Sequence, residues 1–333
     1  MGRILIFIVS LSLSTFVWAS NCNNGVYIST NWLTMAKRDK DISALAKRLQ
    51  QSSITNVYIS TNGVTPDNTV ARSFLSRLKD DMPNAKVIGM ISKRPCAAGM
   101  ANTSKCFDMT ADKDRFFNAV SGLWRMGFDG IQLDFEPVPN PKDHCPPNVS
   151  NCNVVSNEFL TILDKLKASK PKGKIISVAG YFLDMKGQQK ISPSVPAGQS
   201  LLSWNRTYYS SVMSRADQVM VMDYDTALKK ATDYSQFTAW QVQNLKELAS
   251  ETHTDLQIGL PADNMKGRKG LYDRSAENLK TGMLGVQKGL GAASCISNVG
   301  VSIYDDEGMT DDQWKSFNDI FSNSPSQTLA PKN

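Results

Sequence analysis

The sequence predicts a single-domain α/β protein, a closed (β/α)8 TIM barrel. Eight short apolar or β-branched runs alternate with eight helical patterns along the 333-residue chain, and such alternation points to a parallel sheet. The hexapeptide Val-Tyr-Ile-Ser-Thr-Asn occurs at Val26–Asn31 and again at Val57–Asn62, 31 positions later, about the length of one βα unit. The chain is also long enough to close such a barrel. An open doubly wound sheet is the competing arrangement, but no Gly-rich phosphate fingerprint follows the first strand.

The expected strands are Val26–Thr30, Val57–Thr61, Lys86–Ile91, Gly130–Glu136, Lys174–Ala179, Gln218–Met222, Leu256–Leu260 and Val299–Tyr304. Each is short and rich in β-branched or apolar residues, as strands buried in a parallel sheet should be. The helical patterns are Ile42–Gln51, Val70–Asp81, Asp114–Met126, Asn157–Ala168, Leu201–Ser214, Phe237–Ser250, Ser275–Leu290 and Asp311–Phe321. Ile42, Leu45, Ala46 and Leu49 show the helical spacing.

Residues 1–19 read as a secretory signal peptide. Arg3 gives the positive end, Ile4–Val17 the apolar run and Val17-Trp18-Ala19 the cleavage pattern. The run is shorter than the ~20 residues that span a bilayer, so a secreted protein without stable membrane insertion is expected, extracellular or periplasmic. Residues 20–322 form the expected barrel and 323–333 a polar tail. The formal net charge of +6 comes without a long Lys/Arg run, which argues against nucleic acid. The chain is expected to act as a monomer.

Six cysteines in an exported chain suggest disulfides. Spacing favours Cys96–Cys106 and Cys145–Cys152, leaving Cys22–Cys295, although the sequence alone does not choose among pairings. In a closed barrel Cys22 and Cys295 would precede neighbouring strands and staple the closure. There is no CxxC, and His144 and His253 are isolated, so neither a metal nor another cofactor is expected.

Phe128–Glu136 carries the chemistry. Alternation along a strand puts Gln132, Asp134 and Glu136 on one face and Ile131, Leu133 and Phe135 on the other. Three polar groups on a buried inner face are costly without a use. Catalytic groups of such barrels sit at the C-terminal ends of strands, where Glu136 is expected to stand, with Asp134 one step below and Gln132 deeper. Two neighbouring acids on one wall repel, which favours a proton on one of them. A proton on Glu136 suits a general acid.

Asp129–Glu136 resembles the DGxDxDxE signature of family 18 glycoside hydrolases, which include chitinases and endo-β-N-acetylglucosaminidases. Met222-Asp223-Tyr224-Asp225 resembles that family's MxYD pattern, and Leu256–Pro261 its seventh strand. The resemblance spans nearly the whole mature chain. It departs at Gln132, where the family usually has Asp, and at Tyr304, where it has Trp.

The resemblance implies a hydrolase of β-linked N-acetylglucosamine glycans (chitin-type, peptidoglycan or N-glycan) in which the substrate's acetamido group is the nucleophile. Glu136 would be the general acid and base. Asp134 would orient the acetamido group, and Tyr224 would hydrogen-bond its oxygen. Met222 and Asp225 would shape the sugar site. Gln132 would hydrogen-bond Asp134 and retune it, and Tyr304 would floor the pocket. Amide residues at the Gln132 position in spore-cortex and peptidoglycan-directed relatives tilt the reading toward cell-wall glycans. Trp32, Tyr181, Trp204 and Tyr304 are candidates for stacking on sugar rings. Two other readings compete: a non-catalytic lectin or inhibitor on the same barrel, and a hydrolase of another sugar using Asp225 or Asp305 as nucleophile.

Overall fold

The computed structural model describes residues 23–92, 94–95, 106–107, 113–137, 152–185, 203–262, 273–291 and 296–321. Eight parallel strands close into a barrel: β1 (Asn24–Ile28), β2 (Ile54–Ser60), β3 (Lys86–Ser92), β4 (Gly130–Asp134), β5 (Ile175–Gly180), β6 (Gln218–Met222), β7 (Asp255–Pro261) and β8 (Val299–Tyr304). Each pairs with its neighbours in sequence, and β8 pairs with β1 through Gly25–Ser302 and Val26–Ile303. The main helices are α1 (Asp39–Gln51), α2 (Thr69–Asp81), α3 (Lys113–Met126), α4 (Cys152–Ser169), α5 (Arg206–Met213), α6 (Ala231–Thr252), α7 (Leu279–Leu290) and α8 (Asp311–Phe321). The single-domain (β/α)8 barrel expected from the sequence is the fold observed.

The repeated hexapeptide lies in register across β1 and β2. Val26 faces Val57, Tyr27 faces Tyr58 and Ile28 faces Ile59. The valines and isoleucines point out, into the layer between strands and helices. The tyrosines point in and stack, ring centroids 4.7 Å apart.

The helices seat apolar stripes on the outer strand faces. Helix α1 buries Ile42, Leu45, Ala46 and Leu49, the residues whose spacing predicted it. Asn68, Asn205 and Asn278 cap α2, α5 and α7, each side chain accepting a first-turn N–H that the helix leaves unpaired. Helices α6 and α7 pack closely because α7 carries glycine on the facing side: a Cβ on Gly289 would stand 2.5 Å from the Val242 Cβ.

Side chains placed just before the strands lock the N-terminal rim. Asp129 accepts from the Val87 N–H at 2.9 Å and pairs with Lys79 at 2.7 Å. Asp217 accepts from the Ile176 N–H at 2.7 Å and pairs with Lys170 at 2.6 Å. Closure between the first and last strands is held by Asn24, whose side-chain oxygen accepts from the Val301 N–H at 3.1 Å, and by Gln257, which donates to the Asn23 carbonyl at 2.6 Å.

Residues 1–19, the tail 323–333 and Cys22, Cys96, Cys145 and Cys295 lie outside the described residues, as do the side chains of Cys106 and Cys152. The backbone places Cys106 in a two-residue strand and Cys152 at the start of α4. Among the described residues, no helix is long and apolar enough to cross a membrane.

Candidate active site at the C-terminal rim

The site is built in two layers inside the barrel. The lower layer is a buried chain of neutral polar groups. Tyr27 donates to the Gln132 amide oxygen at 2.7 Å, and the Gln132 amide nitrogen donates to Ser177 Oγ at 3.2 Å. Ser177 donates to Gln218 Oε1 at 2.9 Å, which also accepts from Tyr58 at 2.7 Å. Five strands are thereby linked, and every member is at most 4% exposed. Satisfied networks of this kind fix side-chain orientation, because breaking any one bond strands a buried partner. Burial holds the Tyr27 hydroxyl well above its usual pKa, helped by the Tyr58 and Tyr224 phenols and by Asp134, and opposed by the bond to Gln132. Tyr27 therefore remains a donor at ordinary pH.

The upper layer opens at the strand ends and is only partly buried. Asp134 closes β4, paired in register with Ser92 of β3. Tyr224 and Tyr304, from the ends of β6 and β8, stack with centroids 5.4 Å apart and planes 13° apart. Tyr304 also meets the edge of Tyr27 at 5.2 Å. Met222 packs against the same inner cluster. Asp225 is exposed at the rim with φ 60°. The structure thus brings Gln132, Asp134, Met222, Tyr224 and Tyr304 to the inside of one barrel mouth, with Asp225 at its edge.

Alternation predicts Glu136 as the last residue of the fourth strand, facing as Gln132 and Asp134 do, and the structure differs. The strand ends at Asp134, and Glu136 lies two residues beyond it with φ 51°. In that left-handed region, strained for any residue with a Cβ, alternation no longer sets the side-chain direction. A contact sets it instead: Tyr181, just past the end of β5, donates to Glu136 Oε2 at 2.7 Å. Tyr181 thus holds the carboxylate at the rim.

Trp204, offered by the sequence as a sugar platform, has no exposed surface. Its ring packs over Gly180, where a Cβ would stand 2.6 Å from Cζ3, and its indole N–H donates to the Pro137 carbonyl at 2.7 Å. Trp32 is half-buried on Phe74, with the Lys37 ammonium 5.2 Å from its ring.

Nothing local in the sequence marks Glu277 as a site residue. It is fully buried, just before α7. One carboxylate oxygen accepts from the Asp225 N–H at 2.7 Å, and the other accepts from the Thr226 N–H and hydroxyl, both at 2.8 Å. The loop after β6 is pinned at the turn that displays Asp225. Below it, Asp223 is also fully buried, and burial raises its pKa to about 7, with the nearby Glu277 charge adding. Among the described residues, no group of three or more His, Cys, Asp or Glu is placed to hold a metal ion.

The sequence matches no protein-family model and no curated protein. Solved structures share its fold. A GH18 chitinase from Pseudoalteromonas aurantia superimposes with a TM-score of 0.54 at 11% identity, over 90% of this chain and 99% of that one. The spore cortex-lytic enzyme SleL of Bacillus cereus gives 0.52 at 11% identity, over 90% of this chain and 74% of that one. A GH18 chitinase from Cycas revoluta in complex with (GlcNAc)3 gives 0.51 at 14% identity, over 90% and 99%. The likeness is one of fold: the barrel is the one these glycosidases carry.

Proposed function

We propose that this protein is a secreted family 18-type glycosidase that hydrolyses β-linked N-acetylglucosamine glycans by substrate-assisted, retaining catalysis. One observation carries the reading. A carboxylate, Glu136, two residues beyond the Asp134 that ends β4, accepts from Tyr181, and Tyr224 and Tyr304 stack at the ends of β6 and β8 of the same barrel.

In the proposed mechanism, a sugar sits on the Tyr224–Tyr304 face, positioned by Met222 and Asp225. Glu136 gives its proton to the glycosidic oxygen as that bond breaks. The carbonyl oxygen of the substrate's own acetamido group bonds to the anomeric carbon, the exception to the two-carboxylate scheme. Asp134 orients that group and balances the positive oxazolinium, and Tyr224 donates to the acetamido oxygen. Water then enters, loses a proton to Glu136 and opens the ring with retained configuration. No cofactor takes part.

The neutral Gln132 below Asp134 and the fold shared with a spore cortex-lytic enzyme favour cell-wall glycans among the substrates of this class. The test is to present the mature chain with chitin oligosaccharides, peptidoglycan and high-mannose glycans and read products by mass spectrometry. Binding to all three with no bond cleaved would instead establish a lectin-like protein. Export is tested separately, by whether the secreted chain begins after Ala19.

A further inference from the structure

Glu136 occupies a backbone conformation that its own sequence does not favour, with φ 51°, and the residue after it is a proline. Something must hold the chain there. The groups that do so come from the segment after β5 and from α5. The indole of Trp204 donates to the Pro137 carbonyl at 2.7 Å, and both residues are buried. The Tyr181 hydroxyl donates to the Glu136 carboxylate at 2.7 Å. Tyr209, fully buried on α5, donates to the Tyr181 carbonyl. The rings themselves interlock: Trp204 meets Tyr181 edge-on at 6.4 Å and Tyr209 at 5.2 Å. Ser203–Trp204 also pairs with Phe182–Leu183 as a two-stranded ladder, so the clamp is tied to the segment directly after Tyr181.

We infer that Trp204, with Tyr209 behind Tyr181, is a positioning device for the acid/base Glu136. One arm fixes the backbone through Pro137, and the other fixes the carboxylate through Tyr181. Gly180 is the condition for it, because any side chain there would displace the Trp204 ring. The inference rests on the reading of Glu136 as acid/base. Trp204 and Tyr209 touch neither substrate nor reacting atoms.

The test is Trp204→Phe in the full mature chain, which keeps most of the ring packing and removes the indole donor to Pro137. Misplacing a catalytic group by about 1 Å can cost about 10²-fold in rate. On chitin oligosaccharides, kcat is expected to fall about 10- to 100-fold with KM within about twofold. A crystal structure of the variant is expected to show an intact barrel with the Glu136 carboxylate off the Tyr181 hydroxyl. Unchanged kcat with Glu136 in place overturns the inference. If the wild-type chain cleaves none of the glycans, the glycosidase reading fails separately, and the variant's structure alone decides whether Trp204 positions Glu136. If Trp204→Phe does not fold, Tyr209→Phe is judged by the same two readouts.

Discussion

The Tyr27 hydroxyl donates to the Gln132 amide oxygen at 2.7 Å in the interior of the barrel, where Gln132 has no exposed surface. With its nitrogen on Ser177, the amide has one orientation. A carboxylate at this depth would place a second titrating group under Asp134.

Replacing Gln132 tests this layer. Gln132→Leu leaves the Tyr27 and Ser177 hydroxyls without this partner, each at a cost of about 1–3 kcal/mol. Urea denaturation should show a loss of about 2 kcal/mol or more. Gln132→Asp should make stability fall as pH rises, since burial raises a carboxyl pKa and the native state then holds the proton more tightly than the unfolded chain. Its activity profile should shift relative to wild type because Asp134 gains a titrating neighbour. Superimposable profiles and equal stability would remove Gln132 from the account.

Asp223 predicts a pH dependence in the wild-type protein. Its oxygens meet no hydrogen-bond partner of good geometry among the described residues, although the Thr238 hydroxyl beside it lowers the pKa against the effect of burial. The folded-state pKa is raised by burial to about 7 from 3.8. Between those values the native state binds more protons than the unfolded state, so stability falls as pH rises through that window. The loss is on the order of 4 kcal/mol, at about 1.4 kcal/mol per unit. Asp223→Asn should flatten the curve, matching wild type near pH 4 and exceeding it near pH 8. Thermal unfolding across that range checks it.

Glu277 should matter to substrate binding more than to turnover. Its carboxylate holds the Asp225 and Thr226 N–H groups, and Asp225 is proposed to grip the sugar in the ground state. Glu277→Ala should raise KM several-fold, lower kcat less, and cost about 3 kcal/mol of stability from the lost charge-assisted bonds. Steady-state kinetics on folded protein separates the two parameters. A fall in kcat alone would place Glu277 with the reacting groups instead.

The barrel was legible because the alternation of strand and helix is written at short range. Even the side-by-side pairing of Tyr27 and Tyr58 follows from the repeated hexapeptide. Asp134, Tyr224 and Tyr304 were legible as rim residues because barrel strands point one way. What was hidden depends on contacts distant in sequence. Alternation cannot reveal that Glu136 has left the strand, nor that Tyr181 turns its carboxylate. Leu201–Trp204 reads as helix, yet Ser203 and Trp204 pair with Phe182 and Leu183, and α5 begins only after the Asn205 cap. Glu277 reads as a helix residue, since nothing local shows that its carboxylate closes the loop after β6.

The central claim is that Glu136 is the acid and base of a hydrolase whose nucleophile is the substrate's acetamido group. The most direct measurement compares wild type with Glu136→Gln on a β-linked N-acetylglucosamine oligomer and on the same oligomer lacking its acetyl groups, with cleavage read by mass spectrometry and binding by calorimetry. Cleavage of the acetylated oligomer alone, by wild type alone, with affinity retained in the variant, is expected. Equal cleavage by Glu136→Gln, or cleavage of the deacetylated oligomer at the same rate, would contradict it.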